Sequence, residues 1–105
     1  MNFGLKDETI QKIISVFNKF PQIEKAILYG SRAKGNFKNG SDIDITLVGN
    51  DLNLSTINKI ELELDDLLLP YTFDISIYHR ISNPQLTDHI DRIGKIFYLK
   101  SNQNQ

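Results

Sequence analysis

The sequence contains no cysteine, no tryptophan and a single methionine among its 105 residues. Without cysteine the chain can form neither a disulfide nor a thiolate metal site, which fits the reducing environment of the cytoplasm. It also lacks an apolar run of about 18 residues, the length that a membrane-spanning helix requires. The N-terminal residues do not follow the pattern of a signal peptide. We therefore expect a soluble, cytoplasmic protein that does not associate with membranes.

An excess of charge of either sign is also missing. The chain has 12 Lys and Arg residues against 13 Asp and Glu residues, for a net charge of −1. No overall field therefore favours nucleic acid or an anionic lipid surface, and we expect no direct nucleic-acid binding. The length suits one domain with a modest core. We predict a single domain over residues 1–100, followed by a polar, disordered tail over residues 101–105.

Two long amphipathic helices are predicted in the first two thirds of the chain. The first covers residues 7–20, with Asp7 as its N-cap, and Pro21 ends it. The second covers residues 55–69 and ends at Pro70. Apolar residues recur at helical spacing along the side that we expect to be buried: Ile10, Ile13, Ile14 and Phe17 in the first helix, and Ile57, Ile60, Leu64, Leu67 and Leu68 in the second.

Two further helices are predicted from local signals. Residues 31–34 form one helical turn, and a loop follows over residues 36–40. Near the C-terminus, Asn83 is a cap followed by Pro84 at the first helical position, and Gly94 marks the end. The apolar stripe of that helix consists of Leu86, Ile90 and Ile93.

Apolar runs and alternating patterns predict strands over residues 26–29, 41–48 and 72–78, with a short edge strand over residues 96–99. Successive strand side chains point to opposite faces, so each alternating strand has one apolar and one polar face. Helices and strands then alternate along the chain. This order predicts an α/β fold in which the helices pack against one small sheet.

The stretch of residues 30–44 carries the chemistry. Asp42 and Asp44 flank Ile43 at the start of a strand, so the two carboxylates share one face. Neighbouring carboxylates repel each other unless a positive charge lies between them. Mg²⁺ is bound by one or two such carboxylates together with substrate phosphates. Asp42 and Asp44 are therefore candidate magnesium ligands.

The same stretch opens with a candidate phosphate site. Gly30 lets the backbone approach a ligand closely, and Ser31 starts a short helix whose free N–H groups can face an anion. Arg32 and Lys34 are either further phosphate contacts or solvated loop charges, and Lys38 is most simply a solvated charge.

Gly30-Ser31, ten residues, then Asp42-Ile43-Asp44 resembles the signature of the nucleotidyltransferase superfamily that includes DNA polymerase beta. The fuller strings over residues 30–35 and 40–44, Gly-Ser-Arg-Ala-Lys-Gly and Gly-Ser-Asp-Ile-Asp, resemble those of minimal nucleotidyltransferases (MNT). Many members of that group are antitoxins paired with HEPN-domain toxins. The resemblance extends over most of residues 5–99 and implies an α/β nucleotidyltransferase core with a mixed sheet.

The resemblance also implies a third acid. In the family it lies on a strand beside the first two, and Asp74 occupies the polar face of strand 72–78. Asp42, Asp44 and Asp74 would then be catalytic residues that hold two Mg²⁺ ions. The implied role of Gly30, Ser31 and Arg32 is to bind the nucleotide phosphates. Asp74 could also accept the proton of the attacking hydroxyl, or could simply be a polar residue of the strand.

The activity implied by the resemblance is adenylyl transfer from ATP to a hydroxyl of a HEPN-type ribonuclease toxin, plausibly that of a tyrosine. Two alternatives stay open: an antitoxin that neutralises by binding alone, and a small-molecule nucleotidyltransferase that completes its pocket by homodimerisation. The remaining features have simpler interpretations. We expect His79 and His89 at the surface, and Leu67, Leu68 and Leu69 mainly in the core. The acidic cluster Glu61, Glu63, Asp65 and Asp66 is expected on a solvated helix face.

Overall fold

Four helices, four strands and a short 3₁₀ helix make up the fold in a computed structural model that describes residues 3–101. Their bounds are α1 Asp7–Asn18, β1 Lys25–Tyr29, α2 Gly30–Lys34, β2 Ile43–Val48, α3 Leu54–Asp65, β3 Phe73–Ile77, a 3₁₀ helix Tyr78–Arg80, α4 Pro84–Ile93 and β4 Lys95–Leu99. The predicted order is confirmed, with the 3₁₀ helix added. Residues 102–105 of the predicted tail lie outside the described residues. No helix within residues 3–101 has the length and apolarity needed to cross a membrane.

The strands form one mixed sheet in the order β3-β2-β1-β4. β1 runs antiparallel to both β2 and β4, whereas β2 and β3 are parallel. The mixed sheet is confirmed, as is the edge position of β4. The register places Tyr29 opposite Asp44 and Asp44 opposite Asp74. Three neighbouring strands therefore contribute one residue each to a single row across the sheet.

One face of the sheet carries the hydrophobic core. Ile43, Ile45 and Leu47 of β2 are fully buried, as the alternating pattern predicts. They belong to one cluster with the apolar residues of the two long helices: Ile13, Val16 and Phe17 of α1, and Ile57, Ile60 and Leu64 of α3. Helices α1 and α3 therefore cover this face of the sheet.

The opposite face carries the polar row and is covered in part by α4. His89 of α4 packs edge-on against Tyr29, with ring centroids 6.2 Å apart. At the end of the helix, a Cβ on Gly94 would meet Cγ2 of Ile27 at 2.6 Å. Since Tyr29 and Ile27 lie on the same face of β1, α4 crosses the sheet beside the row that contains Asp44.

The ends of the two long helices differ from the predictions. α3 ends at Asp65 rather than at residue 69. The N–H groups of Leu67 and Leu68 donate to carbonyls three residues back instead of four, and Leu68 then adopts a left-handed conformation with φ of 55° that a helix cannot continue. Leu68 is also 88% exposed, so the prediction that it belongs to the core is wrong. At the other helix, Lys6 rather than Asp7 is the N-cap. Asp7 instead lies in the first turn, where a carboxylate favours the helix dipole.

Helix α4 begins and ends where the sequence predicts. Asn83 caps α4, since its side chain accepts a hydrogen bond from the backbone N–H of Gln85 at 2.9 Å. Pro84 occupies the first turn, and Gly94 is the C-cap. These local signals fix α4 within a few residues, and so determine which of its side chains reach the sheet.

Candidate active site

The turn from β1 into α2 lies directly against a carboxylate. Gly30 has a φ of +74°, a conformation that residues with a Cβ rarely adopt. A Cβ at this position would also collide with Oδ2 of Asp44. Glycine is therefore required here for two reasons: the backbone conformation, and the close approach of the turn to β2.

Ser31 lies in the first turn of α2, where the sequence placed it. The helix is five residues long and ends at Gly35, which has a φ of +90°. The N–H of Gly35 donates to the carbonyl of Ser31 at 2.9 Å. The single turn of helix thus holds the half-buried Ser31 at the end of β1, next to the carboxylate row.

Asp44 and Asp74 occupy opposing positions on parallel strands, and Asp42 precedes the same strand as Asp44. Asp44 is half-buried, while Asp42 and Asp74 are exposed. Burial, followed by the nearby carboxylates of Asp74 and Asp42, raises the pKa of Asp44 above its ordinary value. The structure therefore brings the three predicted acids to one end of β2 and β3. Their roles as catalytic residues and ligands stay predictions.

The acidic end of the sheet fits a cation that is shared with a substrate. Within residues 3–101 no lysine or arginine forms an ion pair with these three carboxylates. The same residues contain no group of three His, Asp or Glu side chains arranged as a ready-made cation site. Magnesium takes hard oxygen ligands and often binds through one or two carboxylates plus phosphates. The hard oxygen donors of these three carboxylates are of the kind that Mg²⁺ takes.

His89 belongs to the site, contrary to the prediction that it lies at the surface. Its Nε2 accepts a hydrogen bond from the backbone N–H of Gly30 at 3.2 Å. The imidazole ring is half-buried. The sequence contained a signal for this, because His89 follows Leu86 by three residues and so extends the apolar stripe of α4. His79 is exposed, as predicted.

The sequence offered two interpretations of Arg32, a phosphate contact and a solvated charge, and the structure contradicts both. The side chain is buried, with 2% of the residue exposed. Within residues 3–101 its guanidinium donates to backbone carbonyls: Nη1 to Phe3 at 2.8 Å, Nη2 to Asn39 at 3.2 Å, and Nε and Nη2 to Ser41 at 3.2 and 3.0 Å. These hydrogen bonds fix the loop between α2 and β2 and occupy the guanidinium. The assignment of Arg32 as a phosphate contact is therefore wrong.

Aromatic rings complete the enclosure of Arg32. The guanidinium carbon lies 5.1 Å from the ring centroid of Phe37 and 5.0 Å from that of Tyr71. Both distances are in the range of cation–π contacts. The loop between α2 and β2 is therefore anchored to a single buried side chain, which sets where β2 begins relative to Gly30.

The comparisons with known proteins agree with this geometry. The family model "Polymerase beta, Nucleotidyltransferase" matches residues 11–103. No curated protein matches the chain. A crystal structure of a toxin–antitoxin with AMP-PNP shares 22% identity at a TM-score of 0.71, over 87% of this chain and 73% of that chain. The predicted nucleotidyltransferase fold is thereby confirmed.

Two further solved structures are similar. The MntA-HepT toxin–antitoxin shares 20% identity at a TM-score of 0.66, over 90% of this chain and 74% of that chain. A tri-AMPylated HEPN toxin in complex with its MNT antitoxin, from Shewanella oneidensis, contains a chain with 19% identity and a TM-score of 0.67. The alignment covers 91% of this chain and 74% of that chain. At such identities the likeness establishes the fold alone.

The enclosure of Arg32 predicts that lysine cannot replace it. Arg32→Lys keeps the positive charge but cannot reach three carbonyls with a planar fork. We expect the free energy of unfolding to fall by about 1.5–3 kcal/mol, the value of a hydrogen bond to a charged group. Urea denaturation measures this loss. The matched control is Arg80→Lys, at an exposed position, which should change stability by less than about 0.5 kcal/mol. Equal effects of the two changes would contradict the assignment.

Because the pKa of Asp44 is raised, we predict that replacing this carboxylate increases the stability of the protein by an amount that depends on pH. The folded protein binds the Asp44 proton more tightly than the unfolded chain does, so the wild type loses stability as pH rises from about 4 through the folded pKa. Asp44→Asn removes this loss. In metal-free buffer at pH 7 the variant should therefore melt at a higher temperature than the wild type, and the difference should shrink towards pH 4. Asp51→Asn, in an exposed turn, should show no such trend.

Proposed function

Because this chain belongs to the polymerase beta nucleotidyltransferase family, we propose that it transfers AMP from ATP to a hydroxyl of a HEPN-type ribonuclease toxin. The acceptor is a tyrosine, and the modification neutralises the toxin, so that the protein acts as its antitoxin. The observation that carries the proposal is the in-register pair Asp44 and Asp74 beside the Gly30 turn. The partner is supported by solved neighbours that are toxin–antitoxin complexes, one of them with a tri-AMPylated toxin.

The three acids would hold the cations. Asp42, Asp44 and Asp74 present hard oxygen donors at one end of the sheet. Burial, and then repulsion from Asp74 and Asp42, raise the pKa of Asp44. Two Mg²⁺ ions, when bound, would neutralise the triphosphate and the charge that develops during transfer. The fold supplies the spacing of the acids, because β2 and β3 hold Asp44 and Asp74 opposite each other before any substrate arrives.

The remaining groups of the site would orient the substrate. Ser31 and the backbone N–H groups that follow Gly30 in α2 would bind the phosphates that leave. The acceptor oxygen attacks the α-phosphorus of ATP, the bond from that phosphorus to the β-bridging oxygen breaks, and pyrophosphate departs. The proton of the attacking hydroxyl passes to a carboxylate, for which the exposed Asp74 is the candidate. Catalysis by such a site consists mainly of positioning and charge stabilisation.

An antitoxin that acts by binding alone has no use for this arrangement. Three carboxylates at one end of a sheet, with no ion-pair partner among residues 3–101, are electrostatically unfavourable, and Asp44 is half-buried among them. Binding alone would be served equally well by neutral side chains at these positions. A small-molecule nucleotidyltransferase would need the same acids, so it is separated from our proposal by the molecule that becomes labelled.

Transfer of label tests the proposal. The protein is incubated with Mg²⁺, ATP labelled on the α-phosphate, and a purified HEPN-type ribonuclease toxin. We expect label on that protein, with a mass increase of one or more AMP groups that persists after the two proteins are separated. Asp42→Asn combined with Asp44→Asn should lower the rate by a factor on the order of 10² to 10⁴, because metal ligation contributes several kcal/mol at the transition state.

The matched control carries the same changes at exposed acids away from the site, Asp51→Asn combined with Asp66→Asn, and should transfer label at the wild-type rate. Label on a small molecule and not on the toxin would favour the alternative that the protein is a small-molecule nucleotidyltransferase. If the Asp42 and Asp44 double variant protects cells from the toxin as well as the wild type does, at equal concentration, then neutralisation works by binding and the catalytic role is wrong.

A further inference from the structure

We propose that His89 is a positioning residue, which holds the Gly30 turn at the start of α2 in place beside the acids. Its effect on catalysis rests on the proposed AMP transfer, whereas its effect on the turn can be measured without any substrate. The inference starts from one contact between distant parts of the chain: Nε2 of His89 lies 3.2 Å from the backbone nitrogen of Gly30, 59 residues away in sequence.

The first step concerns the N-terminus of α2. A helix leaves its first N–H groups without partners inside the helix, and a capping side chain usually accepts from one of them. The residue before α2 is Tyr29, which makes no capping hydrogen bond with its side chain. His89 accepts from the first N–H of the helix instead. The ring thus supplies from α4 the acceptor that the local sequence lacks.

The second step concerns the place where α2 starts. Gly30 has a positive φ and abuts Asp44 so closely that no Cβ fits between them. A turn in this conformation has few local contacts to hold it, because glycine has no side chain and is the most flexible residue in the unfolded chain. The hydrogen bond to His89 fixes the N–H of Gly30 through a residue of α4, which lies outside the turn itself.

The third step concerns how firmly His89 itself is held. The imidazole packs edge-on against the ring of Tyr29, with an interplanar angle of 79°. Tyr29 is buried and lies opposite Asp44 in the sheet. His89 therefore contacts the last residue of β1 and the first residue of α2 at once. A shift of α4 would move the turn that carries Ser31 relative to the acids.

The chemistry of the contact defines the state of the ring. A nitrogen that accepts a hydrogen bond carries no proton, so His89 must be neutral with its proton on Nδ1. This requirement can be tested in the wild-type protein. In protein labelled with ¹⁵N, the ring-nitrogen chemical shifts should show an unprotonated Nε2 at pH 7.5. A scalar coupling across the hydrogen bond between the Gly30 amide and Nε2 should also be detectable. A ring protonated on Nε2 would overturn the proposal.

Substitutions then test the consequence for the turn and for the substrate. His89→Ala removes the acceptor, whereas His89→Gln places an amide oxygen close to the position of Nε2. Hydrogen exchange of the Gly30 amide should become about three- to tenfold faster in the alanine variant, the effect of one hydrogen bond. The Kd for ATP in the presence of Mg²⁺ should rise by about the same factor. The glutamine variant should recover most of both, and the exposed control His79→Ala should match the wild type.

The outcomes separate this proposal from the proposed function. If the wild type transfers no AMP but Gly30 exchange and nucleotide affinity respond to His89 as stated, the function is wrong and the positioning role stands. If AMP transfer occurs and His89→Ala leaves Gly30 exchange and ATP affinity unchanged, the positioning role is wrong. A merely structural role in packing α4 would lower the melting temperature of the alanine and glutamine variants equally, without rescue of Gly30 protection by glutamine, and would also overturn the proposal.

Discussion

The repulsion among carboxylates at the end of β2 and β3 is the constraint around which the site is built. Asp44 and Asp74 are neighbours on one face of the sheet because the parallel register of β2 and β3 pairs them. On the reverse side of β2, Ile43, Ile45 and Leu47 are fully buried in the core, so the strand cannot slip by one residue without exposing them. The hydrophobic core therefore fixes the positions of the acids, and the fold tolerates their unfavourable electrostatics.

Two side chains from outside the acidic row hold the backbone around it. Arg32 donates hydrogen bonds to carbonyls of the loop that leads from α2 to β2, while His89 accepts a hydrogen bond from the N–H of Gly30 at the start of α2. All of these hydrogen bonds are made to main-chain atoms, so they determine where the turn lies rather than what it binds. The short helix α2 has only five residues and could not keep this position alone, since isolated turns of helix are unstable.

The sequence was informative wherever a local rule decides the structure. Alternation predicted the buried face of β2, Ile43, Ile45 and Leu47, and the Asn83 cap with Pro84 located the start of α4. The strand begins at Ile43 rather than at residue 41, so Asp42 precedes it. Roles that depend on contacts across the fold were missed. The burial of Arg32 requires carbonyls from Phe3, Asn39 and Ser41, which no pattern in the sequence brings together. The end of α3 differs from the prediction because the backbone tightens after Asp65 and Leu68 then adopts a left-handed conformation, changes for which the residue types give no signal.

The central claim is that the acids are arranged to bind a cation that arrives with a triphosphate. Calorimetric titration of Mg²⁺ into the protein, with and without AMP-PNP, tests it most directly. The account predicts weak Mg²⁺ binding to the protein alone, because residues 3–101 contain no ready-made group of three ligands. A sharp rise in affinity with the nucleotide should follow, beyond that of the nucleotide alone for Mg²⁺, because carboxylates and phosphates share the ion. Equal Mg²⁺ affinity in the two titrations would contradict the claim.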